Sequence, residues 1–541
     1  MMMRLKFIFL FISFPFCGAL FGQNNTVEEV SFDLAKNIFF TDEKIWVNAE
    51  VKFGEDSPNS KLLYFEILDQ EHRSWGLVKL PLRDGKLSNF IEIPEQVPSG
   101  NYLLRSFTRI SPNLDLDKGI SHQLITILNP QIPPQLGGMD KVEPINSSTF
   151  APVEVIAGQL SKGQSARIDL KLPAEQIKSI SLSIANPYLS INQPEIFSSE
   201  IYESFDPGVF LPELFGHIIY AKVSQSPVDT LRTYFLSAHG EKSALFTDRA
   251  DTSGDLFFDL GGFKYWDYIL IQDALGESMA GVEIQSPAPK TSFKPDFKIP
   301  ELRISTEQEA FLKGLKKASA ITPYYTEIYQ QEEFPVVTGF VADQVYELDE
   351  YLRFETFETT IREFVLNVFI RRNDKKKEFR ILNVPEDYLF DQNPLIMIDA
   401  LPVFDSDALA GYNPKLFSKV EILHRTFFLN DQEYDGALSI SSYDNDFGLF
   451  PIPNEVLYLD YPGETPLVEL GKPIYLKEIE QEKIPDFRTV LFWYSTKSQD
   501  PSLSEQFEFQ SSEIAGDFEL KVTYLEGDAI KQWTTIIKVE D

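Results

Sequence analysis

The stretch Lys44–Phe53, "KIWVNAEVKF", alternates apolar and polar side chains with a period of two. One side of it carries only apolar residues: Ile45, Val47, Ala49, Val51 and Phe53. Because successive side chains of a strand point to opposite faces, this pattern predicts a half-buried β-strand. Further strand patterns follow at short intervals, and one pair is joined by an Asp84-Gly85 hairpin turn. The sequence therefore predicts an all-β sandwich over residues 23–130.

The pattern of short strands and turns returns twice further along the chain. Its clearest later examples are "TDRADTSGDLFFDLGGFKYWDYILIQ" at 247–272 and "GDFELKVTYLEGDAIKQW" at 516–533. Between them, residues 345–450 mix short helices with strands, which predicts an α+β unit. The predicted fold class is therefore mainly β, with several sandwiches and one α+β domain.

Proline-rich segments separate these units and give the predicted organisation. Ser305, followed by Gln308, is typical of a helix start, and we expect that helix to end near residue 320. The predicted divisions are a leader at 1–22, a sandwich at 23–130, a linker at 131–150, a sandwich at 151–285, a linker and helix at 286–344, an α+β domain at 345–450 and a sandwich at 451–541.

The first residues have the features of a secretory signal peptide. Arg4 and Lys6 precede an apolar run at 7–17, and the small residue Gly22 offers a cleavage point. The single cysteine of the chain, Cys17, lies inside this leader. We therefore expect an exported protein whose mature form has no disulfide and no thiol nucleophile. No later apolar run is long enough for a transmembrane helix, so none is expected in the mature chain.

The charge of the chain excludes one class of partner. The formal net charge is −33, whereas a nucleic-acid-binding protein needs a basic surface. Acidity also disfavours adhesion to anionic lipid. With 43% hydrophobic residues the chain is expected to be globular rather than an acidic disordered segment.

Residues 23–130 resemble a macroglobulin-like (MG2-type) domain. The resemblance rests on "FFTDEKIWVNAEV", "SKLLYFEILD" and "DGKLSNFIEIPEQVPSGNYLLRSFT" in that order. Residues 451–541 resemble a second macroglobulin-like sandwich, and residues 151–285 resemble the sandwich modules that accompany carboxypeptidases. The reactive thioester of large macroglobulins needs a cysteine, which the mature chain lacks, so protease trapping is not implied.

Residues 345–450 resemble the plug of TonB-dependent receptors. The family's three strand motifs correspond to "LIMIDALP" at 395–402, "KVEILH" at 419–424 and "YDGALSIS" at 434–441. Ala400 stands where the family usually has glycine, and no barrel-forming segment follows in this sequence. The resemblance implies a plug-like fold used for interaction, with these candidate contact residues: Asp399, Pro402, Asp405, Asp407, Asp435 and Gly436.

Chemistry-bearing motifs give little support to an enzyme. The five histidines do not pair at metal-ligand spacing, and phosphate-loop, dinucleotide and serine-hydrolase motifs are missing from the sequence. Two acidic clusters, at 248–255 and 444–446, have the oxygen ligands that Ca²⁺ prefers, but polar turns explain them better. We expect no catalytic residues, no metal and no cofactor.

Two functional hypotheses follow. The first is a non-enzymatic envelope protein, periplasmic or associated with either face of the outer membrane. It would assemble with another envelope protein, for example an outer-membrane β-barrel, through its plug-like domain. The alternative is a periplasmic or surface protein that binds a glycan or peptide on its sandwiches. Exposed Trp46 and Trp75 would favour this alternative.

Overall fold

The structure is a computed structural model of the whole chain. It describes residues 27–54, 58–136, 150–156, 160–190, 195–326, 329–331, 341–374, 376–470, 486–498, 502–527 and 529–540. The predicted leader lies outside these residues, and so does most of the predicted linker at 131–150. Within the described ranges no helix combines the length and apolarity needed to cross a bilayer.

The first sandwich follows the predicted alternation. Its elements are β1 (Glu28–Leu34), β2 (Ile38–Phe40), β3 (Lys44–Phe53), β4 (Leu62–Leu68), β5 (Ser74–Pro81), β6 (Lys86–Glu92), β7 (Gly100–Phe107), α1 (Ser111–Leu114) and β8 (Ile120–Leu128). Strand β3 pairs with β1 and β6 in one sheet, and the second sheet has the order β2-β8-β7-β4-β5. The inward residues of β3, such as Ile45 and Val47, are fully buried between the two sheets.

A middle sandwich is built mainly from residues 218–284. The elements from the end of the first sandwich onward are β9 (Gln135–Leu136), β10 (Val153–Ile156), β11 (Leu160–Ser161), β12 (Ser165–Leu170), β13 (Ile177–Ile184), α2 (Ser198–Ile201), β14 (Tyr202–Asp206), β15 (Ile218–Val223), β16 (Thr233–His239), β17 (Ser243–Arg249), β18 (Asp255–Asp259), β19 (Tyr268–Asp273), β20 (Val282–Ile284), β21 (Lys290–Phe293) and β22 (Arg303–Ile304). Sheet β18-β15-β20 faces sheet β17-β16-β19, and Leu236, Phe258 and Ile269 fill the space between them.

The α+β unit has one five-stranded sheet. The elements that follow β22 are α3 (Glu309–Thr326), β23 (Tyr329–Gln331), β24 (Gln344–Glu347), α4 (Phe357–Phe364), β25 (Val368–Asn373), β26 (Lys376–Asn383), β27 (Tyr388–Leu389), β28 (Leu395–Ile398), β29 (Leu401–Pro402), α5 (Ser406–Gly411), β30 (Phe417–Leu423), β31 (Phe427–Leu429), β32 (Gln432–Tyr434), β33 (Ala437–Ser442), β34 (Leu457–Asp460) and β35 (Val468–Leu470). The sheet order is β24-β30-β33-β28-β29, with β28 parallel to β33. Phe357 and Ile361 of α4 and Leu409 of α5 are buried in the core on one face of this sheet.

The predicted helix after Ser305 is confirmed. Ser305 and Gln308 form a capping box, which satisfies backbone N–H groups at the helix start. A short 3₁₀ turn leads into α3, which continues to Thr326, six residues past the expected end. Leu315 of this helix is buried in the core of the sandwich described next.

The last sandwich is composite, because distant parts of the chain form it. The final strands are β36 (Val490–Ser495), β37 (Gln506–Gln510), β38 (Gly516–Glu526) and β39 (Ala529–Glu540). One sheet has the order β10-β12-β37 and the other β11-β39-β38-β13-β36. Strand β13 therefore lies between two strands that begin more than three hundred residues later.

The mainly β fold class, with several sandwiches and one α+β unit, is confirmed. The strand pairing nevertheless differs from the predicted divisions. Strands at 153–184 complete a sandwich with 490–540 instead of belonging with 218–284, and β34 adds to the middle sandwich. An alternating pattern shows that a strand has a buried face, but it does not specify which strand will pair with it.

The α+β unit packs its sheet directly against the middle sandwich. Phe235 on β16 packs against Leu395 and Met397 of β28. The side chain of Gln272 donates a hydrogen bond to the carbonyl oxygen of Pro402 at 2.8 Å. The face of the α+β sheet that lies opposite its helices is thus partly covered by the middle sandwich.

Candidate functional site

The six candidate contact residues are distributed over two turns, the short strand β29 and the start of α5. Pro402 is buried in β29, and its carbonyl accepts the hydrogen bond from Gln272. Asp405 is exposed and caps α5, accepting the backbone N–H of Ala408 at 3.0 Å. Both residues therefore have structural roles in the unit, and neither lines the groove described below.

Three further candidates also hold loops in place. Asp407 and Asp435 each accept one backbone N–H from a neighbouring segment, at 3.2 and 2.7 Å. Gly436 has φ +83°, and a Cβ atom there would lie 2.7 Å from the carbonyl oxygen of Leu423. Glycine is needed at this position because of both the backbone conformation and the close approach.

Asp399 accepts more hydrogen bonds than any other of the six candidates. With Ala400 it forms a two-residue turn at φ 47° and 67°, so "LIMIDALP" is a hairpin rather than the single strand expected. The buried Asp399 carboxylate accepts the N–H of Ser442 at 2.8 Å, the Ser442 hydroxyl at 2.5 Å and the N–H of Phe447 at 2.8 Å. Burial raises the pKa of Asp399, and these hydrogen bonds oppose the rise. The carboxylate ties the turn to the end of β33.

Substitution of Asp399 with alanine should open this turn. Two buried backbone N–H groups and a hydroxyl would lose their partner, which costs about 2–4 kcal/mol of local stability. Hydrogen exchange of the amides at 437–450 measures the change. Asp405→Ala is the matched control, because it removes only an exposed helix cap worth about 1 kcal/mol. Equal protection in both variants would contradict the structural role assigned to Asp399.

A groove of about 380 Å³ lies where the α+β sheet extends past the middle sandwich. Its lining combines the consecutive residues 241–245, at the start of β17, with residues of β28, β30, β31 and β33. Leu245, Met397, Phe427 and Leu429 supply apolar surface. Asp399 is the one candidate contact residue among the lining residues that the structure describes.

The polar floor of the groove comes from two neighbouring strands. Glu421 lies opposite Ser439, and Lys419 lies opposite Ser441, in the antiparallel pairing of β30 with β33. Lys419 and Glu421 form an ion pair of 3.0 Å, and both are partly exposed. None of these four residues was among the candidates predicted from the sequence. The available signal was their alternation with the buried Val420 and Ile440 in strands near the centre of a sheet.

Strand β17 forms one wall of the groove and is the edge strand of its sheet. Side chains of the α+β unit donate hydrogen bonds to the turn before β17 and to the strand itself. Asn445 donates to the carbonyl of Gly240 at 2.8 Å, and Asn430 donates to the carbonyl of Thr247. Between these positions, β17 has no strand partner on its outer side in the described part of the chain. An exposed edge of this kind can pair with an extended peptide.

A separate buried cluster joins the first sandwich to the loop at 213–217. The imidazole of His217 lies 2.8 Å from Glu213 through Nδ1 and 2.8 Å from the Tyr461 hydroxyl through Nε2. Tyr64 donates its hydroxyl hydrogen to Glu213 at 2.6 Å. Burial lowers the pKa of His217 to about 4, and the hydrogen bond with Glu213 opposes this. Because Tyr64, Glu213 and His217 are buried, we assign this cluster the structural role of tying these segments together.

The remaining sequence candidates have local partners. Asp255 pairs with Lys222 at 2.7 Å, and Asp251 accepts backbone N–H groups of its own turn. Trp46 packs against Phe90, and Trp75 donates to Asp69 at 3.0 Å. Both tryptophans are partly buried. The described residues contain no group of three or more potential metal ligands.

No family model matches this chain, and no curated protein matches its sequence. Similar solved structures show weak likeness. The BSP domain of a biofilm associated protein is 10% identical, covering 50% of this chain and 30% of its own, with a TM-score of 0.14. Salmonella alpha-2-macroglobulin reacted with methylamine is 7% identical. The match covers 95% of this chain and 23% of that structure, with a TM-score of 0.16. Trypsin activated alpha-2-macroglobulin from Escherichia coli is 6% identical. The match covers 96% of this chain and 42% of that structure, with a TM-score of 0.21.

This chain therefore spans less than half the length of each of these three structures. Two of them are macroglobulins, the class that residues 23–130 resemble in sequence. The sandwiches and the α+β unit are defined by their strand pairing and not by this likeness.

Proposed function

We propose that this chain is an exported, non-enzymatic interaction protein of the cell envelope, whose α+β unit receives an extended segment of a partner protein in the groove beside β17. The observation that carries the proposal is the position of β17, an edge strand with no strand partner on its outer side among the described residues, next to a mixed polar and apolar floor. A chain laid along this edge would gain main-chain hydrogen bonds, which give affinity without requiring a particular sequence.

The groove lining also defines what such a segment should look like. Alternate side chains of an extended peptide point to opposite sides, so every second residue would face the floor. Leu245, Met397 and Phe427 would receive apolar side chains. Lys419 and Glu421 would favour polar or charged residues at the other end of the segment. The expected segment is therefore extended, with apolar residues at one end and polar residues at the other.

The resemblance to receptor plugs makes an outer-membrane β-barrel the preferred source of this segment. A barrel that enclosed the α+β unit would have to displace the middle sandwich from Leu395, Met397 and Pro402. We therefore propose contact through a loop or terminus of the barrel protein rather than enclosure of the unit. Periplasmic or cell-surface location is part of the same proposal.

Filling the groove should abolish capture of the partner. Ser439→Trp would place a large side chain on the floor, and we expect at least about tenfold lower recovery of the partner, corresponding to about 1.4 kcal/mol. The measurement is photo-crosslinking from position 441 in intact cells, followed by mass spectrometry. Ser253→Trp, on an exposed turn outside the groove, is the matched control.

Each outcome of this experiment is informative. Crosslinks to one barrel protein that disappear in the Ser439→Trp variant support the proposal. Crosslinks that persist in the variant, or the absence of any envelope protein despite efficient labelling, would refute it. Binding of free peptides without capture of an envelope protein would instead favour a periplasmic ligand-binding protein.

A further inference from the structure

The loop between β14 and β15 carries a cluster of exposed apolar side chains. We call residues 209–215 of this loop the apolar tip. Phe215 is 74% exposed, and the other large apolar side chains of the tip are exposed as well: Val209, Phe210 and Leu214. A cluster of this kind with polar residues around it marks a surface that contacts a protein or a membrane.

The backbone is fixed on both sides of the last two tip residues. On one side, the carbonyl of Glu213 accepts the N–H of Lys61 at 3.0 Å, and the Glu213 side chain is buried. On the other side, a Cβ atom at Gly216 would lie 1.9 Å from the carbonyl oxygen of Gly261. The loop is therefore in close contact with its neighbours at both points, and the exposure of the two apolar side chains between them is built into the fold.

A cleft of about 390 Å³ opens beside the tip, and Leu214 and Phe215 form part of its lining. Basic residues from three other segments line it too: Lys61, Arg83 and Lys264. Glu464 is the one acidic residue in the described lining, and its carboxylate oxygens are buried. Three basic residues against one buried acid leave an excess of positive charge here, in a chain whose net charge is −33.

This combination matches the surface of a phospholipid bilayer. Apolar side chains at a loop tip can enter the boundary between headgroups and acyl chains, and basic side chains beside them can contact phosphate groups. A protruding side chain such as Phe215 would need a matching pocket on a protein partner, whereas a lipid layer accepts it without one. Anionic lipids add an attraction for each basic residue near the membrane surface.

The negative charge of the whole chain does not prevent this contact. At physiological ionic strength, interactions between exposed charges are screened beyond about 8 Å. Attraction or repulsion at the membrane therefore depends on the residues that face it, and these are basic around the apolar tip. The effect of overall acidity, which disfavours anionic lipid, applies to the rest of the surface.

We propose that this face docks reversibly on a bilayer containing anionic phospholipid, with the apolar tip in the headgroup region and Lys61, Arg83 and Lys264 against lipid phosphates. The cleft beside the tip and the groove beside β17 share no lining residue. Membrane docking and capture of a partner segment can therefore fail independently of each other.

Vesicle flotation tests the apolar part of the proposal. The chain used begins at residue 23 and keeps every described residue, because the apolar leader would bind lipid by itself. Replacing both Leu214 and Phe215 with serine should lower binding to phosphatidylcholine vesicles with about 30% phosphatidylglycerol at least about tenfold. Leu231→Ser is the matched control, because Leu231 is 78% exposed in the loop at the opposite end of β15.

The same assay tests the basic part. Binding should be at least about tenfold stronger to the anionic vesicles than to phosphatidylcholine alone. Lys61→Gln should lower binding to the anionic vesicles about fivefold and leave binding to the neutral vesicles unchanged. Lys531→Gln, at an exposed position of β39, should change neither.

A fluorescent label reports insertion directly. The single cysteine of the chain lies in the leader, so Val209→Cys introduces a unique thiol into the chain that begins at residue 23. A nitrobenzoxadiazole label at this thiol should become brighter and shift to shorter wavelength when anionic vesicles are added. The same label at Leu231→Cys should not respond.

The proposal is overturned if the chain does not float with anionic vesicles at millimolar lipid, or if it binds neutral vesicles equally well. Unchanged flotation of the Leu214→Ser, Phe215→Ser double variant also overturns it. If vesicles are not bound and the double variant instead abolishes self-association in sedimentation velocity, the apolar tip is a contact between copies of this chain.

Discussion

Replacing Glu66 with leucine should destabilise the first sandwich by about 3–5 kcal/mol, because it leaves the guanidinium of Arg105 buried without its counter-charge. Arg105 is 2% exposed, and its Nη2 lies 2.6 Å from Glu66. The same guanidinium donates to the carbonyl of Pro289 at 2.8 Å and to the Tyr202 hydroxyl at 3.3 Å. The loss should therefore also loosen the packing of β14 and β21 on the first sandwich.

A double-mutant cycle isolates the ion pair from the other contacts. Arg105→Met combined with Glu66→Leu should cost less than the sum of the two single substitutions, because no unpaired charge is left. Hydrogen exchange of the β4 and β7 amides measures each variant. The exposed pair Lys118–Glu29, separated by 2.5 Å, is the control, and Glu29→Gln should have no measurable effect. Additive costs in the cycle would show that Arg105 acts through its other hydrogen bonds.

Acidification should weaken the junction that contains His217. The pKa of His217 is about 4 in the folded chain and about 6.5 when unfolded, so the folded state favours the neutral ring. The contribution of the neutral His217 ring to the stability of the folded state is fully present above pH 6.5. It is lost as the pH falls from 6.5 to 4, because the unfolded chain takes up a proton that the folded chain does not. Its size is about 2–4 kcal/mol, from 1.36 kcal/mol for each pKa unit.

The variant His217→Gln separates this contribution from those of other titrating groups. Its stability should be lower than that of the unmodified chain at pH 7 but should fall less steeply between pH 6.5 and pH 4. Hydrogen exchange of residues 213–220, measured across this pH range, gives both slopes. Thr496→Ala, far from the cluster in sequence, should leave the slope unchanged. Parallel slopes for His217→Gln and the unmodified chain would exclude His217 as the titrating group.

The sequence was informative about local structure and less informative about assembly. The alternation at Ile45 and Val47 predicts the buried face of β3. The capping pair Ser305 and Gln308 predicts the helix start that leads into α3. Both signals arise from neighbouring residues. The pairing of β13 with β38, in contrast, depends on contacts across more than three hundred residues, which no short window contains.

For the candidate site, too, the sequence predicted local features but not the way in which distant segments come together. Asp399 was selected from a motif, and it does line the groove. Its function in the structure is to hold a turn, because the motif is a hairpin and the carboxylate faces Ser442. Lys419, Glu421 and the open edge of β17 come together only through the packing of two units, so residue type and spacing could not identify them.

The composite sandwich has a consequence for the way this protein reaches its native state. The N–H of Gln164 bonds to the hydroxyl of Ser511, 347 residues later. Chains emerge from the ribosome N-terminus first, so β10, β12 and β13 exist for many seconds before β36–β39 are synthesised. During that interval their apolar faces and open edges are hazards for aggregation. We expect this incomplete sandwich to be the segment that a chaperone must shield until β36–β39 have been synthesised.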